Sequence, residues 1–253
     1  AYYVNGNADN ATTYGLLYNW CAAVDTFNTA YAETSMNTSP SSALSVTFSG
    51  FRRGICPQGW HVPSHDEWSK LTEYVSSQSE YVCGNESNNS IAKALASDKD
   101  WSNNITPCTV GNNQGENNAT GFSAYPAGMH SGLFRYFSEY AYFWTATEED
   151  SSRSFKSNLI FSSANVDINH GSKGFGYSVR CIKDTLPKID GAPCPDAATV
   201  TDHEGNVYNT VQIGNQCWTR ENMRCKTSPS TKTTIWEEMP SSSYTGKKAC
   251  YAN

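Results

Sequence analysis

Residues 54–71, GICPQGWHVPSHDEWSKL, decide how the fold is read. Cys56-Pro57, Gly59-Trp60 and Pro63 make a strand or tight loop that stops at a proline, which has no N–H to continue a ladder. Ser64 follows as a helix cap, and Glu67 three residues on completes a capping box. Trp68, Leu71 and Val75 recur at helical spacing, predicting a helix over 64–78 with one buried face. The distant counterpart is GYSVRCIKD at 176–184, inside an alternating run from Phe175 to Lys183 that predicts a terminal strand. A cysteine ahead of the first capped helix and one in the last strand can tie the ends of a module together. Cys56 with Cys181 is therefore the first expected disulfide. The pattern is that of a scaffold and contains no obvious catalyst.

Working outward, Thr12–Val24 (TTYGLLYNWCAAV) predicts a helix with Leu16, Leu17, Trp20 and Val24 facing inward. Residues 25–53 are rich in Ser, Thr and Asn and hold one short predicted strand, Leu44–Phe48. A second short helix is expected over Ser90–Ser97, a loop over 98–121, and strands over 142–148, 155–162 and 175–183. DTLPKIDGAPCPDA (184–197) contains three prolines and reads as a linker. Ala198–Asp202 and Asn206–Ile213 then predict a hairpin around Glu204-Gly205-Asn206. Residues 226–248 read as polar loop with one aromatic anchor, Trp236. The expected class is α+β, two or three helices against a curled antiparallel sheet. Its parts are a main body (1–184), a linker (185–197) and a C-terminal β-rich segment (198–253).

Composition points to an extracellular β-rich module. Of 253 residues only 17% are charged, against 13% aromatic with 15 Tyr and 7 Trp, which suits strands and broad polar surfaces. Net charge is -6 with no basic stripe, so nucleic acid is not an expected partner. No apolar run approaches membrane-spanning length, and no membrane span is expected.

Nine cysteines, at 21, 56, 83, 108, 181, 194, 217, 225 and 250, fit an oxidising compartment, and no C-x-x-C pair suggests zinc. Cys83 with Cys108 is the second expected pairing, because both flank the Asn-rich insertion around the short helix. Cys194 with Cys217 is a local expectation across the C-terminal strands. Such bridges stabilise by roughly 3–5 kcal/mol on a loop-entropy view. Cys21, Cys225 and Cys250 remain, an odd number. Either one is a buried free thiol beside a local bridge, or one of them crosses to another copy.

CPQGWHVPSHDEW, TGFSAYPAG (120–128), FWTATE (143–148) and GYSVRCIKD together resemble the Fibrobacter succinogenes major paralogous domain, a secreted module of Bacteroidota and Fibrobacteres. VTDHEGNVYNTVQIGNQCWTRENMR (200–224) is similar to the segment that normally opens the same domain. The GWHVPSHDEW block and the late W-x-A-T strand also resemble the C-type lectin-like fold and its formylglycine-generating relatives. Those relatives use a paired-cysteine copper chemistry, for which no matching motif stands here. The resemblance implies an extracellular or cell-surface location. It also exposes an anomaly of order, since the opening block follows the closing one. ACYAN (249–253) even runs plausibly into AYYVNGN (1–7). The chain is then one register of a tandem array, or its C-terminal segment completes a neighbour, or the boundary is arbitrary.

Candidate chemistry is thin. His61, His65, His130, His170 and His203 are scattered, and Pro63 with the Ser64 cap separates the first two, so no zinc site is expected. Asp66 and Glu67 suit a helix N-terminus. Glu148, Glu149 and Asp150 form an acidic turn that a calcium ion could use, although a solvated turn is the plainer reading. No G-x-S-x-G elbow is present. Catalytic residues, metals and cofactors are accordingly not expected. Asn10, Asn37, Asn85, Asn88, Asn104 and Asn118 begin N-x-S/T triplets. By the resemblance to Bacteroidota proteins, Thr185 in the linker fits that phylum's O-glycosylation signal.

Two function classes follow. One is an extracellular structural protein, a repeating subunit of a filament or tandem array joined head to tail through its C-terminal segment. There, Val200, Val207, Val211 and Ile213 offer an apolar face to the neighbouring copy. The linker could also let the segment fold back onto its own body, but its prolines favour projection towards a neighbour. The other class is a lectin-like adhesin binding glycan or protein through exposed aromatics such as Tyr136, Phe137, Tyr140 and Tyr142.

Overall fold

The computed structural model describes residues 1–25, 52–84, 89–184, 194–195 and 197–229. The expected strand Leu44–Phe48, most of the linker, Trp236 and Cys250 lie outside the described residues.

In chain order the elements are β1 (Tyr2–Tyr3), α1 (Ala11–Tyr14), β2 (Leu16–Leu17), α2 (Trp20–Val24), β3 (Trp60–His61), α3 (His65–Ser77) and α4 (Ala92–Leu95). There follow β4 (Met129–His130), β5 (Phe134–Arg135), β6 (Tyr140–Glu148), β7 (Arg153–Ile160), β8 (Asp167–Ser172) and β9 (Ile182–Lys183). The C-terminal segment adds β10 (Thr199–Thr201), β11 (Val207–Ile213) and β12 (Gln216–Thr219). The class is α+β, with few helices against curled antiparallel sheet. Among the described residues the strands form a five-stranded sheet in the order β10-β11-β12-β9-β3, a three-stranded sheet β6-β7-β8 and two short ribbons. Single bridges stitch these together: Tyr18 with Tyr177, Phe143 with Ser178 and His130 with Gly176.

The long helix α3 forms where the capping box predicts. Ser64 Oγ accepts from the Glu67 N–H at 3.2 Å, and the Ser64 N–H donates to Glu67 Oε2 at 2.8 Å. Asp66 and Glu67 in the first turn also suit the helix dipole. Trp68, Leu71 and Val75 are fully buried against Phe122, Phe143, Leu159, Ile182, Val211, Ile213 and Trp218. A second core cluster holds Tyr18, Trp20, Ile55, Trp60, Val62, Trp144, Tyr177, Val179 and Met223. Strands β11 and β12 serve both clusters, with Tyr208 and Cys217 in one and Val211, Ile213 and Trp218 in the other.

The structure departs from the sequence reading in four places. The helix expected over 12–24 is two short helices separated by β2, because Gly15 adopts φ +72° and turns the chain. The Ser90–Ser97 helix shrinks to four residues, held by backbone bonds to the loops around Ala124 and Ala164. Residues 175–181 make isolated bridges in place of a continuous strand. Strand β8, too polar to be read as a strand, exists because its whole length pairs with β7, from Arg153 opposite Ser172 to Asn158 opposite Asp167.

Candidate functional site

The site that draws most of the polar chemistry together is the slot in which the body holds residues 197–229. Of the two arrangements that the linker allows, this structure has the segment seated on its own body. Val211 and Ile213 are buried in that core, while Val200 is half-buried and Val207 exposed. The β10–β11 hairpin is built locally. Asp202 accepts from the N–H groups of Glu204 and Asn206, and β11 continues through Gly214 into β12.

The seat itself is backbone and buried side chain. Met223 donates from its N–H to Val179 O at 2.9 Å, and its carbonyl accepts from the Leu16 N–H at 3.0 Å. The Thr219 N–H donates to Cys181 O at 2.9 Å, and Thr219 Oγ1 accepts from the Cys181 N–H at 3.1 Å. Arg180 lies at the centre with 0% exposure. Its Nε donates to Asn222 Oδ1 (2.6 Å), its Nη1 to Phe122 O (2.7 Å) and Thr219 O (2.8 Å), and its Nη2 to Ser123 O (2.6 Å). Burial pulls the Arg180 pKa below the ordinary guanidinium value. Asn222 Nδ2 in turn donates to Tyr14 O (2.9 Å) and Ser178 Oγ (3.2 Å). Gly15 makes room, since a Cβ there would stand 2.6 Å from Asn222 Cβ.

None of Arg180, Asn222, Gly15, Tyr14 or Ser178 stands out in the sequence as a site. The available signal was an arginine beside a cysteine expected in the core, which has to find buried acceptors.

Further contacts extend the seat. Tyr18 Oη donates to Cys225 O at 2.8 Å, Ser228 Oγ to Asp25 Oδ1 at 2.9 Å, and Gln216 Nε2 to Glu67 O at 2.9 Å. Beside Gln216, His61 is clamped between two carboxylates, Nε2 to Glu67 Oε1 at 2.8 Å and Nδ1 to Asp184 Oδ1 at 2.7 Å. Burial alone would lower the His61 pKa, but Glu67 and Asp184 outweigh it and hold it above the ordinary value. Burial acts to raise the Glu67 pKa, and His61 with the Ser64 cap brings it below the ordinary value. Asp184 is where the linker begins, so this triad joins β3, α3 and the linker, and Gln216 brings the segment to the Glu67 carbonyl.

The cysteines divide between the two parts. Cys56–Cys181 and Cys83–Cys108 are bonded within the body, and Cys194–Cys217 joins the end of the linker to the segment. Cys21 is disulfide-bonded as well, and Cys225 is a free thiol with 0% exposure, whose pKa is raised by burial. Of the two alternatives left open for these cysteines, the structure has Cys225 as a buried free thiol beside a bonded Cys21. Cys250 is outside the described residues.

The other candidates have the following surroundings. The acidic turn is partnered, Glu148 by Lys173, Glu149 by Arg153 and His170, and Asp150 by Arg153. Among the described residues no cluster of His, Cys, Asp and Glu could hold a metal ion. His65 sits against Phe155 and Asp66, His130 stacks on Tyr2 at 3.8 Å, and His203 bonds Thr227. Tyr136, Tyr140, Tyr142 and Tyr177 form a ladder with centroid steps of 4.8, 5.2 and 4.9 Å, running from an exposed ring to a buried one. Lys156 lies over Tyr142 at 4.8 Å and donates to Asn158 and Asn169. Phe137 packs on Tyr14 and is half-buried. The Asn10 and Asn118 side chains are engaged, with Val4 O and Ser123, and Asn104 accepts from the Thr106 N–H. Asn37, Asn85, Asn88 and Thr185 are outside the described residues.

No described helix is long and apolar enough to cross a membrane. Comparison with curated proteins and with solved structures gives no match. The Fibrobacter succinogenes major domain matches residues 1–183, so it ends at β9 and leaves the seated segment outside. By that match, over most of its length, the chain belongs to the Fibrobacter succinogenes major domain family.

Proposed function

We propose that this chain is a non-enzymatic extracellular structural module, a repeating unit of a filament or tandem array. Copies join by exchanging the C-terminal segment, and the closed chain is the subunit before exchange. One observation carries this reading: the segment that follows the body in sequence supplies three of the five strands of its largest sheet, with β12 paired to β9 of the body. β11 and β12 lie between β10 and β9, with Trp218 and Asn222 inside the body's core. Such an element can be donated to a neighbour with every contact preserved, as in domain swapping and strand addition. Repeated in one direction, the contact is heterologous and grows a filament unless it closes into a ring. Of the three disulfides with both partners described, none ties the segment to the body: two lie within the body, and Cys194–Cys217 joins the linker to the segment.

Light scattering and electron microscopy of the full chain, before and after refolding at high concentration, test the reading. Polymers that disappear when residues 198–253 are deleted support it. A chain that stays monomeric under all these conditions overturns it.

A second reading, a lectin-like adhesin, is favoured by the tyrosine ladder beside Lys156, Asn158 and Asn169. α3 on an antiparallel sheet also fits a C-type lectin-like module in permuted order. Binding on a glycan array that is lost in Tyr140→Ala would support it, and an array without binding would end it.

A further inference from the structure

A buried guanidinium is costly unless its donors are satisfied, and Arg180 satisfies them across the seam between body and segment. Two of its four hydrogen bonds stay within the body, at Phe122 O and Ser123 O. The other two reach the segment, at Thr219 O and Asn222 Oδ1. Its charge also rests on the rings of Phe122 (4.6 Å) and Phe143 (5.6 Å), both of which belong to the body. With the segment gone, Arg180 loses its one side-chain acceptor.

Asn222 is the reciprocal case. It is 1% exposed, and every polar atom of its side chain is used by the body: Oδ1 by Arg180, Nδ2 by Tyr14 O and Ser178 Oγ. An aspartate would accept from Arg180 but could not donate to the other two. A leucine would fill the volume and leave all three groups unpaired. A glutamine is one methylene longer, in a place where Gly15 already has no room for a Cβ. The geometry therefore discriminates by both charge and length.

We infer that Arg180, Gly15, Tyr14 and Ser178 form a recognition subsite. It selects a peptide strand by an asparagine four residues after a tryptophan, here Trp218 and Asn222 of a second copy. The inference rests on segment exchange as proposed above, since it names how an exchanged segment is told from other chains.

The test uses the full chain carrying Asn222→Leu, whose own segment is weakened, with an oxidised synthetic peptide of residues 194–229. Native mass spectrometry and thermal melting read the complex. The wild-type peptide is expected to bind one to one, raise the melting temperature, and bind roughly ten- to a hundred-fold more tightly than the Asn222→Leu peptide. Should the variant chain fail to fold, the unaltered chain is refolded from denaturant with both labelled peptides in excess, and the wild-type peptide is expected to be incorporated preferentially. Equal incorporation or binding of the two peptides overturns the subsite. So does failure of both peptides while the unaltered chain forms segment-exchanged polymers. Failure of both with a chain that is always monomeric overturns exchange as well.

Discussion

Trp68 and Trp218 meet with ring centroids 4.9 Å apart at 57°, one from the helix that the body's capping box starts, the other from the C-terminal strand β12. Phe122 and Phe143 complete the cluster, at 5.7 and 5.4 Å from Trp68. The hydrophobic centre of the body is thus finished by a residue that arrives 150 positions later in the chain.

Trp218→Ala is therefore expected to destabilise the whole protein, by about 3–5 kcal/mol, as large aromatic truncations in closed cores do. Urea unfolding followed by both tryptophan fluorescence and far-UV circular dichroism measures it. A loss confined to the segment, with the body transition unmoved, would contradict the shared core.

Gly15→Ala is expected to cost at least about 2 kcal/mol, through the left-handed backbone and the collision with Asn222 and Met223 O. Gly205→Ala makes the control. It has a similar φ of +85° but open space around it, so only the backbone penalty applies. Equal losses at the two glycines would show that the close approach of the segment contributes nothing.

The His61 triad sets a pH window. His61 has its folded pKa raised above 6.5, so its contribution is complete below that pH and is lost as pH rises through the folded value. Glu67 has its folded pKa lowered from 4.5, so its contribution is present above that pH and fades as pH falls through the folded value. Melting temperature should therefore be highest between about pH 4.5 and 6.5. His61→Gln should flatten the alkaline limb while lowering the maximum. An unchanged alkaline limb in that variant would remove His61 as its cause.

Cys225 reports on the seat. Buried beside Tyr18 and Ile55 O, its thiol is expected to resist alkylation in the native protein and to react when the segment leaves. Labelling followed by mass spectrometry should quicken in Asn222→Leu well before global unfolding. Labelling of the native chain as fast as that of a free thiol would mean that the seat is not closed.

The two body disulfides should differ in weight. Cys56–Cys181 spans 125 residues and Cys83–Cys108 only 25, so on loop entropy the first stabilises by about 5 kcal/mol and the second by about 3.5 kcal/mol. Paired Cys→Ser variants compared by melting under oxidising conditions check the ranking. A larger loss from the short loop would reverse it.

Several features were legible from local chemistry alone. Ser64 and Glu67 cap α3 because a capping box is a four-residue interaction, and Trp68, Leu71 and Val75 turn inward because their spacing allows one face. The β10–β11 hairpin was legible for the same reason, as Asp202 and Gly205 carry its turn between alternating residues. What the sequence could not reveal is where distant pieces meet. Thr12–Val24 has the apolar spacing of one helix, yet Gly15 breaks it, because Asn222 and Met223 come to lie against that glycine. Strand β8 has one apolar residue, Ile168, and its whole length is held by the ladder that β7 offers. Arg180 looked like any arginine in a strand, and only the folded chain brings Asn222, Thr219 O, Phe122 O and Ser123 O within reach of it. Caps, turns and amphipathic faces depend on neighbours in sequence, so sequence determines them. A buried cation and its partners depend on neighbours in space, and there tertiary structure alone decided, because the same residues on an open strand would simply be hydrated.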